Sequence, residues 1–551
     1  MADIYHSVPG TIHMVDTDGQ LDHHGSADVI LNPQPSADPE DPLNWSPRRK
    51  RWAILMAYTY VFGTAIATTV QYSVAGEINK DTGISIASID TGNGLMFLFA
   101  GWGCLLWQPV ALVYGRRGVY LLSSLLTTVA MIWTALGKTT GSWYGHRILI
   151  GLFVAPVESL PEVSVSDLFF AHERGTYIGI YALMVFGSNA LAPFFAGFIA
   201  ETMPWQAAIW FGAIVCGVCT IIIFFGLEET MYLRTTVEGA DDNDESSKVE
   251  AATMGPDAVE AAPGTTEKTE KTAPASATSI RVASPIQAFA PPRSYAQKLN
   301  LFRRISGRPS VKDMFVMMYR PLLLLVSFPS IVWAGFLYGS NLSWYMVVNG
   351  TMVVILGSAP YNFSTGAIGA AYISVFVGAV VGAVWAGWAG DKLALYLARR
   401  NNGIREPEHR LWVLVASALI GAAGFLVWGV GAAHSVHFMG PVIGVAMVEV
   451  AVVTGASAAL SYGVDCFKEM AGESLILIIV IRNSMGFGFS YGITPWLNAE
   501  GYTKTFIAVS MLSLGCTLTF LAMSVFGKSL RRMSAKRYWA YVETQVMRMS
   551  H

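Results

Sequence analysis

Residues 207–227 read AAIWFGAIVCGVCTIIIFFGL, a run without a single charge. A helix of about 20 apolar residues crosses the hydrocarbon of a bilayer and satisfies its own backbone polar groups while doing so. Working outward from this run, eleven more of the same kind are found. The expected spans are 52–75, 94–114, 118–137, 148–168, 176–200 and 207–227, then 321–341, 366–390, 411–433, 438–464, 474–497 and 505–527. The pattern predicts an all-α polytopic membrane protein with twelve transmembrane helices in two sets of six, an organisation that points to a transporter.

Composition agrees. The 551 residues are 53% hydrophobic and 13% charged, with a net charge of −2, so bulk charge implies no nucleic-acid partner. Cys104, Cys216, Cys219, Cys466 and Cys516 form neither a disulfide framework nor a zinc spacing. Cys216 and Cys219 make a CxxC, but inside an apolar run, where they read as small packing residues. No metal cluster and no G-x4-G-K-[ST] loop are found, so no metal, nucleotide or other cofactor is expected.

Residues 1–51 are polar and lack a signal-peptide core, so a disordered N-terminus is expected, with the first helix acting as signal anchor. Arg48, Arg49, Lys50 and Arg51 should hold that terminus in the cytosol. Two six-helix halves, 52–228 and 321–528, flank a linker at 229–320, and 529–551 form a tail. Glu238–Pro285 is rich in Ala, Thr, Glu, Ser and Pro, and disorder is expected there. Tyr295–Tyr319 is basic and amphipathic, suited equally to the inner leaflet or to a solvated linker. Cations concentrate in links that should be cytosolic, which places both termini in the cytosol. Asn341, Asn349 and Asn362 head glycosylation sequons near an expected external link at 342–365.

Local motifs suggest a family. Gln108-Pro-Val-Ala-Leu112-Val-Tyr-Gly115-Arg116-Arg117 resembles the G-x3-D-R-x-G-R-R signature of the major facilitator superfamily, with Leu112 and Val113 in place of the Asp and Arg. Gly387-x3-Asp391-Lys392 is similar to its pseudo-repeat. Arg147-x3-Gly151 resembles the R-x-x-x-G element of helix 4. Gly179-x8-Ser188-x3-Ala192-Pro193-x2-Ala196-Gly197 resembles the antiporter motif of helix 5, where small residues permit close helix approach. Asp41-Pro-Leu-Asn44-Trp45-Ser46 and the stretch Glu158 to Gly175 look like fungal twelve-helix drug:proton antiporters, nearest the branch of histidinol and polyamine permeases. The resemblance covers 41–230 and 320–530. It implies that helices 1, 4, 7 and 10 line a central cavity.

Ionisable residues at membrane depth are costly and usually functional. Glu158 and Glu162 lie four apart, hence on one face of helix 4; they could bind proton or solute, or bond polar groups at the helix end. Helix 1 carries the stripe Tyr60, Thr64, Thr68 and Gln71, and helix 7 offers Tyr338, residues that serve either a cavity or interhelical contacts. Glu449 and Arg482 are expected at equal depth on helices 10 and 11, as an ion pair that is structural or part of coupling. Desolvation opposes the charged form of a buried carboxylate, which suits it to carry protons. The expected function is proton-linked secondary transport of a small organic solute, as efflux of a drug-like compound or secondary metabolite, by a monomer in the plasma membrane. The alternatives are an uptake permease for an amine or polyamine and a transporter-like sensor that signals through the linker. No paired catalytic side chains suggest an enzyme.

Overall fold

The computed structural model describes residues 8–13, 38, 40–232, 297, 299–301, 310–401 and 404–549. The expectations for most of the N-terminal stretch, for Glu238–Pro285 and for much of Tyr295–Tyr319 lie outside the described residues.

The first half comprises α1 (Pro47–Thr69), α2 (Ile86–Tyr114), α3 (Arg116–Leu136), α4 (Thr140–Val154), α5 (Ala171–Thr202) and α6 (Trp205–Gly226). The second comprises α7 (Pro329–Gly357), α8 (Thr365–Val384), α9 (Leu414–Phe425) and α10 (Met439–Cys466). A last helical run, Ala471–Leu518, is broken at Gly501 (φ 76°, ψ 172°), and its parts 471–500 and 502–518 are α11 and α12. With that division the apolar crossings among the described residues number twelve, in two sets of six.

Sequence chemistry sets the helix starts. Ser46, Ser85, Thr139 and Ser364 each accept an N–H of the first turn through the side chain. A single residue, Gly115, links α2 to α3 at φ 102°, where a side chain would be strained.

The seventh crossing departs from the expected 321–341. Val311–Ser327 is a separate helix, bent by 99° from Pro329–Gly357. Pro329 disfavours helical backbone at Phe328, which turns extended (φ −132°, ψ 80°), so the long helix restarts at the proline. Hence Asn341 and Asn349 lie inside α7, buried at 3% and 8% exposure, rather than in an external link. Both bond inward: Asn341 Nδ2 donates to the Leu337 carbonyl at 2.7 Å, and Asn349 Oδ1 accepts from the Tyr372 hydroxyl at 3.0 Å. Neither can serve as a glycosylation acceptor in this fold. Asn362 is exposed in the turn after α7 and remains open to modification. The last helix, Phe520–Met549, runs through most of the expected tail.

The halves meet along two seams, α2 against α11 and α5 against α8. Gly197 of α5 faces Gly369 of α8 so closely that a Cβ at Gly197 would lie 2.7 Å from the Thr365 carbonyl. One end of the bundle, here the terminal face, carries the N-terminal residues and the α2–α3, α4–α5 and α8–α9 links. The opposite end is the far face. On the terminal face, Ile12–His13 pairs antiparallel with Ile404–Arg405 of the second half. Pro9 and Thr11 meet Arg531 there. Asp38 and residues 40–46 dock on the first half instead: the Tyr232 hydroxyl donates to Asp38 at 3.3 Å, and Arg49 stacks over Trp45.

Labelling should read out the two faces. A cysteine at Ser358 should react from one side of the membrane and one at Lys536 from the other, since both positions are exposed at opposite ends. Membrane-impermeant maleimide on oriented vesicles checks this, and labelling of both from one side would break the even-crossing topology. Gly350 would be a poor reporter, being half-buried beside Asp90 within α7.

Candidate functional site

The fourth crossing is interrupted, where a continuous helix 148–168 is expected. After α4 the chain makes one 3-10 turn, Ala155–Glu158, and resumes as Leu160–Leu168. Pro156 and Pro161 cause the break. Each lacks the N–H that would bond the carbonyl four residues earlier, those of Leu152 and Val157. In a bilayer such carbonyls need other donors. Trp107 Nε1 donates to Leu152 at 2.7 Å, and the Tyr181 hydroxyl donates to Val157 at 2.8 Å. Ser123 and Cys104 take the carbonyls of Phe153 and Ala155. Side chains of α2, α3 and α5 thus hold the kink open. Tyr181→Phe should leave the Val157 carbonyl buried without its donor, costing about 1–3 kcal/mol. A thermal-denaturation series in detergent with Trp107→Phe as companion measures this, and no loss in either variant would refute the account.

Glu158 sits at the break. Arg482 of α11, only 6% exposed, reaches across the interface to it at 2.5 Å. The guanidinium also donates to the Tyr338 hydroxyl at 2.8 Å and to Asn483 Oδ1 at 3.0 Å, and it lies 4.7 Å from the Tyr338 ring centroid. This corrects the expected Glu449–Arg482 pair. Equal depth made that pairing plausible, but the partner of Arg482 lies across the interface, in the first half. Glu162 follows one turn after Glu158, half-buried, and its charge is felt by Tyr181 and Tyr338. The structure therefore gathers Glu158, Glu162, Arg482 and Tyr338. Tyr181 and Asn483, unremarked in the sequence, complete the group. A tyrosine or asparagine in an apolar run gives little signal by itself.

Glu449 stands apart. It is 4% exposed on α10, against Gly378 of α8, and its Oε1 meets no donor among the described residues. Trp344 Nε1 is likewise without a hydrogen-bond partner among the described residues, and Tyr345 beside it feels the Glu449 charge. Trp344, next to Tyr345 on α7, packs edge-on against Phe425 and Phe489 at 5.9 and 5.3 Å.

The α1 stripe is engaged in holding helices together. Tyr60 OH bonds Ser123 Oγ at 2.6 Å, Thr64 and Thr68 bond back to their own helix, and Gln71 Nε2 donates to Asn93 Oδ1 at 3.0 Å. None of the four joins the Glu158 group.

The motif residues that follow α2 and α8 build the terminal face. Glu229 accepts the backbone N–H groups of Arg116 and Arg117 at 3.0 and 3.1 Å, placing a carboxylate on the positive end of α3. Arg116 pairs with Asp167 beyond the α4 break. Arg117, fully buried, donates to the carbonyls of Leu227 and Phe224 where α6 ends. With Leu112 at the usual aspartate position, Asp167 and Glu229 supply the anions. In the second half Asp391 pairs with Arg410 at 3.2 Å, and Lys392 lies 4.0 Å over the Trp388 ring, next to the π-helical turn that contains Gly387. Arg147 is fully buried over Trp143, 4.7 Å from the ring centroid, while Gly151 lets α4 meet the α2 backbone at Met96. Pro193 lies within α5, one turn before the Gly197 contact.

Known proteins resemble this arrangement. The chain is 28% identical over 535 residues to an uncharacterised MFS-type transporter of Schizosaccharomyces pombe, covering 94% of this chain and 90% of that one. It is 28% identical over 544 residues to Protein HOL1 of Saccharomyces cerevisiae, covering 93% and 92%. It is 25% identical to the MFS transporter cpaT of Aspergillus oryzae, covering 90% of each. Among solved structures, the xylose transporter XylE from E. coli in a partially occluded inward-open conformation aligns with TM-score 0.54 at 10% identity, over 86% of this chain and 99% of that one. The peptide transporter POT aligns with TM-score 0.57 at 12% identity, over 87% and 95%. The model of the Major Facilitator Superfamily matches residues 57–490. With its two six-helix halves and the matched family model, the chain belongs to the Major Facilitator Superfamily, whose members are transporters and not enzymes.

Proposed function

We propose that this transporter is proton-linked and moves a small organic solute by alternating access, exporting it across the plasma membrane as a monomer with both termini in the cytosol. The observation that carries the reading is the Arg482–Glu158 pair, which ties α11 of one half to the α4 break of the other. A proton on Glu158 would cancel the attraction and leave Arg482 to its second-half neighbours Tyr338 and Asn483. That is a switch with two arrangements, set by one proton. Export is supported by the antiporter-like stretch of α5, whose small residues form the tight α5–α8 seam.

An amine or polyamine cargo is the second reading. It is favoured by Glu449, whose buried carboxylate oxygen meets no donor among the described residues and could accept from an organic ammonium. Purified protein in sealed vesicles tests both: a panel of neutral, anionic and cationic metabolites is followed in each direction with an imposed pH gradient. Flux that follows the gradient and stops with a protonophore supports the proposal. Solute flux indifferent to the gradient overturns the proton link, and selectivity for cations decides for the amine.

A further inference from the structure

Asp90 is a buried acid that the proposed mechanism leaves unused. It lies in the second turn of α2, at the far-face end of the α2–α11 seam, and is 7% exposed. The Thr494 hydroxyl, from α11 of the other half, donates to its Oδ2 at 2.8 Å. The Ser490 hydroxyl donates to its backbone carbonyl at 2.5 Å. On a third side α7 comes close enough that a Cβ on Gly350 would stand 3.2 Å from Oδ2. The acid therefore sits where one helix of the first half meets two of the second.

The groups that face it are few. Tyr72, just past α1, and Tyr372 of α8 feel its charge. Arg147 of α4 acts on Tyr72 but lies over the Trp143 ring, and no cation is within ion-pair distance of Asp90 among the described residues. From α11 and α7 it meets hydroxyls and a bare glycine. A carboxylate held this way has given up its water for one side-chain donor, whereas a neutral carboxyl loses far less on burial. When the seam parts, water returns and the charged form is restored. Proton binding and closure of the far-face seam are then linked, each favouring the other.

We propose that Asp90 is a second proton-binding site, a latch that takes up a proton as the far-face seam closes and releases it as the seam opens. The proposal rests on the alternating-access reading above and adds a proton site remote from Glu158.

Pulsed electron paramagnetic resonance on the full chain in lipid nanodiscs tests it, with spin labels on cysteines at Lys80 and Ser358, one on the far face of each half. In the otherwise native protein, raising the pH from 5 to 9 should convert a short distance to a long one. Asp90→Asn keeps an acceptor for Thr494 but cannot ionise, and it should hold the short distance throughout. Thr494→Val removes a bond that spans the closed seam, so it weakens the closed form and should move the opening midpoint to lower pH, by up to about one unit. A pH response in Asp90→Asn equal to the native one overturns the latch, as does a native distance that never changes. The measurement uses neither solute nor gradient. A protein that opens with pH yet carries no solute therefore refutes the transport reading alone. Gradient-driven flux with a native-like response in Asp90→Asn refutes the latch alone.

Discussion

Glu158→Gln should abolish gradient-driven solute flux while the protein still folds and reaches the membrane. The substitution keeps the side chain's shape and a hydrogen-bond acceptor for Arg482, but removes the charge and the titratable group. A charge-assisted bond to guanidinium is roughly twice as strong as a neutral one, so Arg482 should relax toward Tyr338 and Asn483. If Glu158 carries the proton, solute exchange without a gradient should persist. If Glu158 instead holds a cationic cargo, exchange should fail too. Both are measured in sealed vesicles and normalised to inserted protein. Gradient-driven flux at the native level in a normally inserted variant would remove Glu158 from the mechanism and turn attention to Glu449.

The largest stability effect is expected on the terminal face of the second half. Arg531 is fully buried and makes a two-point contact with Glu408, at 2.9 and 2.7 Å, which the Tyr462 hydroxyl joins at 3.4 Å. Glu408→Gln strands that guanidinium without a counter-charge and should cost about 3–5 kcal/mol. Adding Arg531→Met should restore much of the loss, because the buried guanidinium left without a counter-charge is then gone. Unfolding in mixed micelles gives both numbers. A single variant as stable as the native protein would mean that water or backbone carbonyls already neutralise Arg531.

The fold was legible because hydropathy is read over about 20 residues at a time, and the twelve runs stand clear of their links. What escaped depends on single residues or on contacts across the bundle. The seventh crossing was placed eight residues early because the apolar run continues unbroken through Phe328, while Pro329 alone sets the restart. Asp90 was missed for a related reason. The second span was expected from 94, and α2 in fact begins at Ile86, which draws the acid into the seam. Pro156 and Pro161 were visible as residues, but not the tryptophan and tyrosine that replace their missing N–H groups. The charged residues Glu158, Glu162, Glu449 and Arg482 stood out from the sequence by their cost at depth. Their pairing did not, because Glu158 and Arg482 are 324 positions apart and only the packing of one half on the other chooses between two acids for one arginine.

The N-terminal strand has a consequence in terms of mass action. Ile12–His13 is held by the second half and Asp38 with residues 40–46 by the first, so the strand is a ligand leashed to its own receptor. Residues 14–37 between the anchor points could reach roughly 80 Å at full stretch, which leaves the two halves room to part on this face. Being joined to the chain keeps the strand near its site whatever the protein concentration. A strand that dissociates should therefore rebind readily, while the same peptide added in solution would compete only at high concentration. Cutting the leash within 14–37 should be felt as dilution of the strand, with every contact residue still in place.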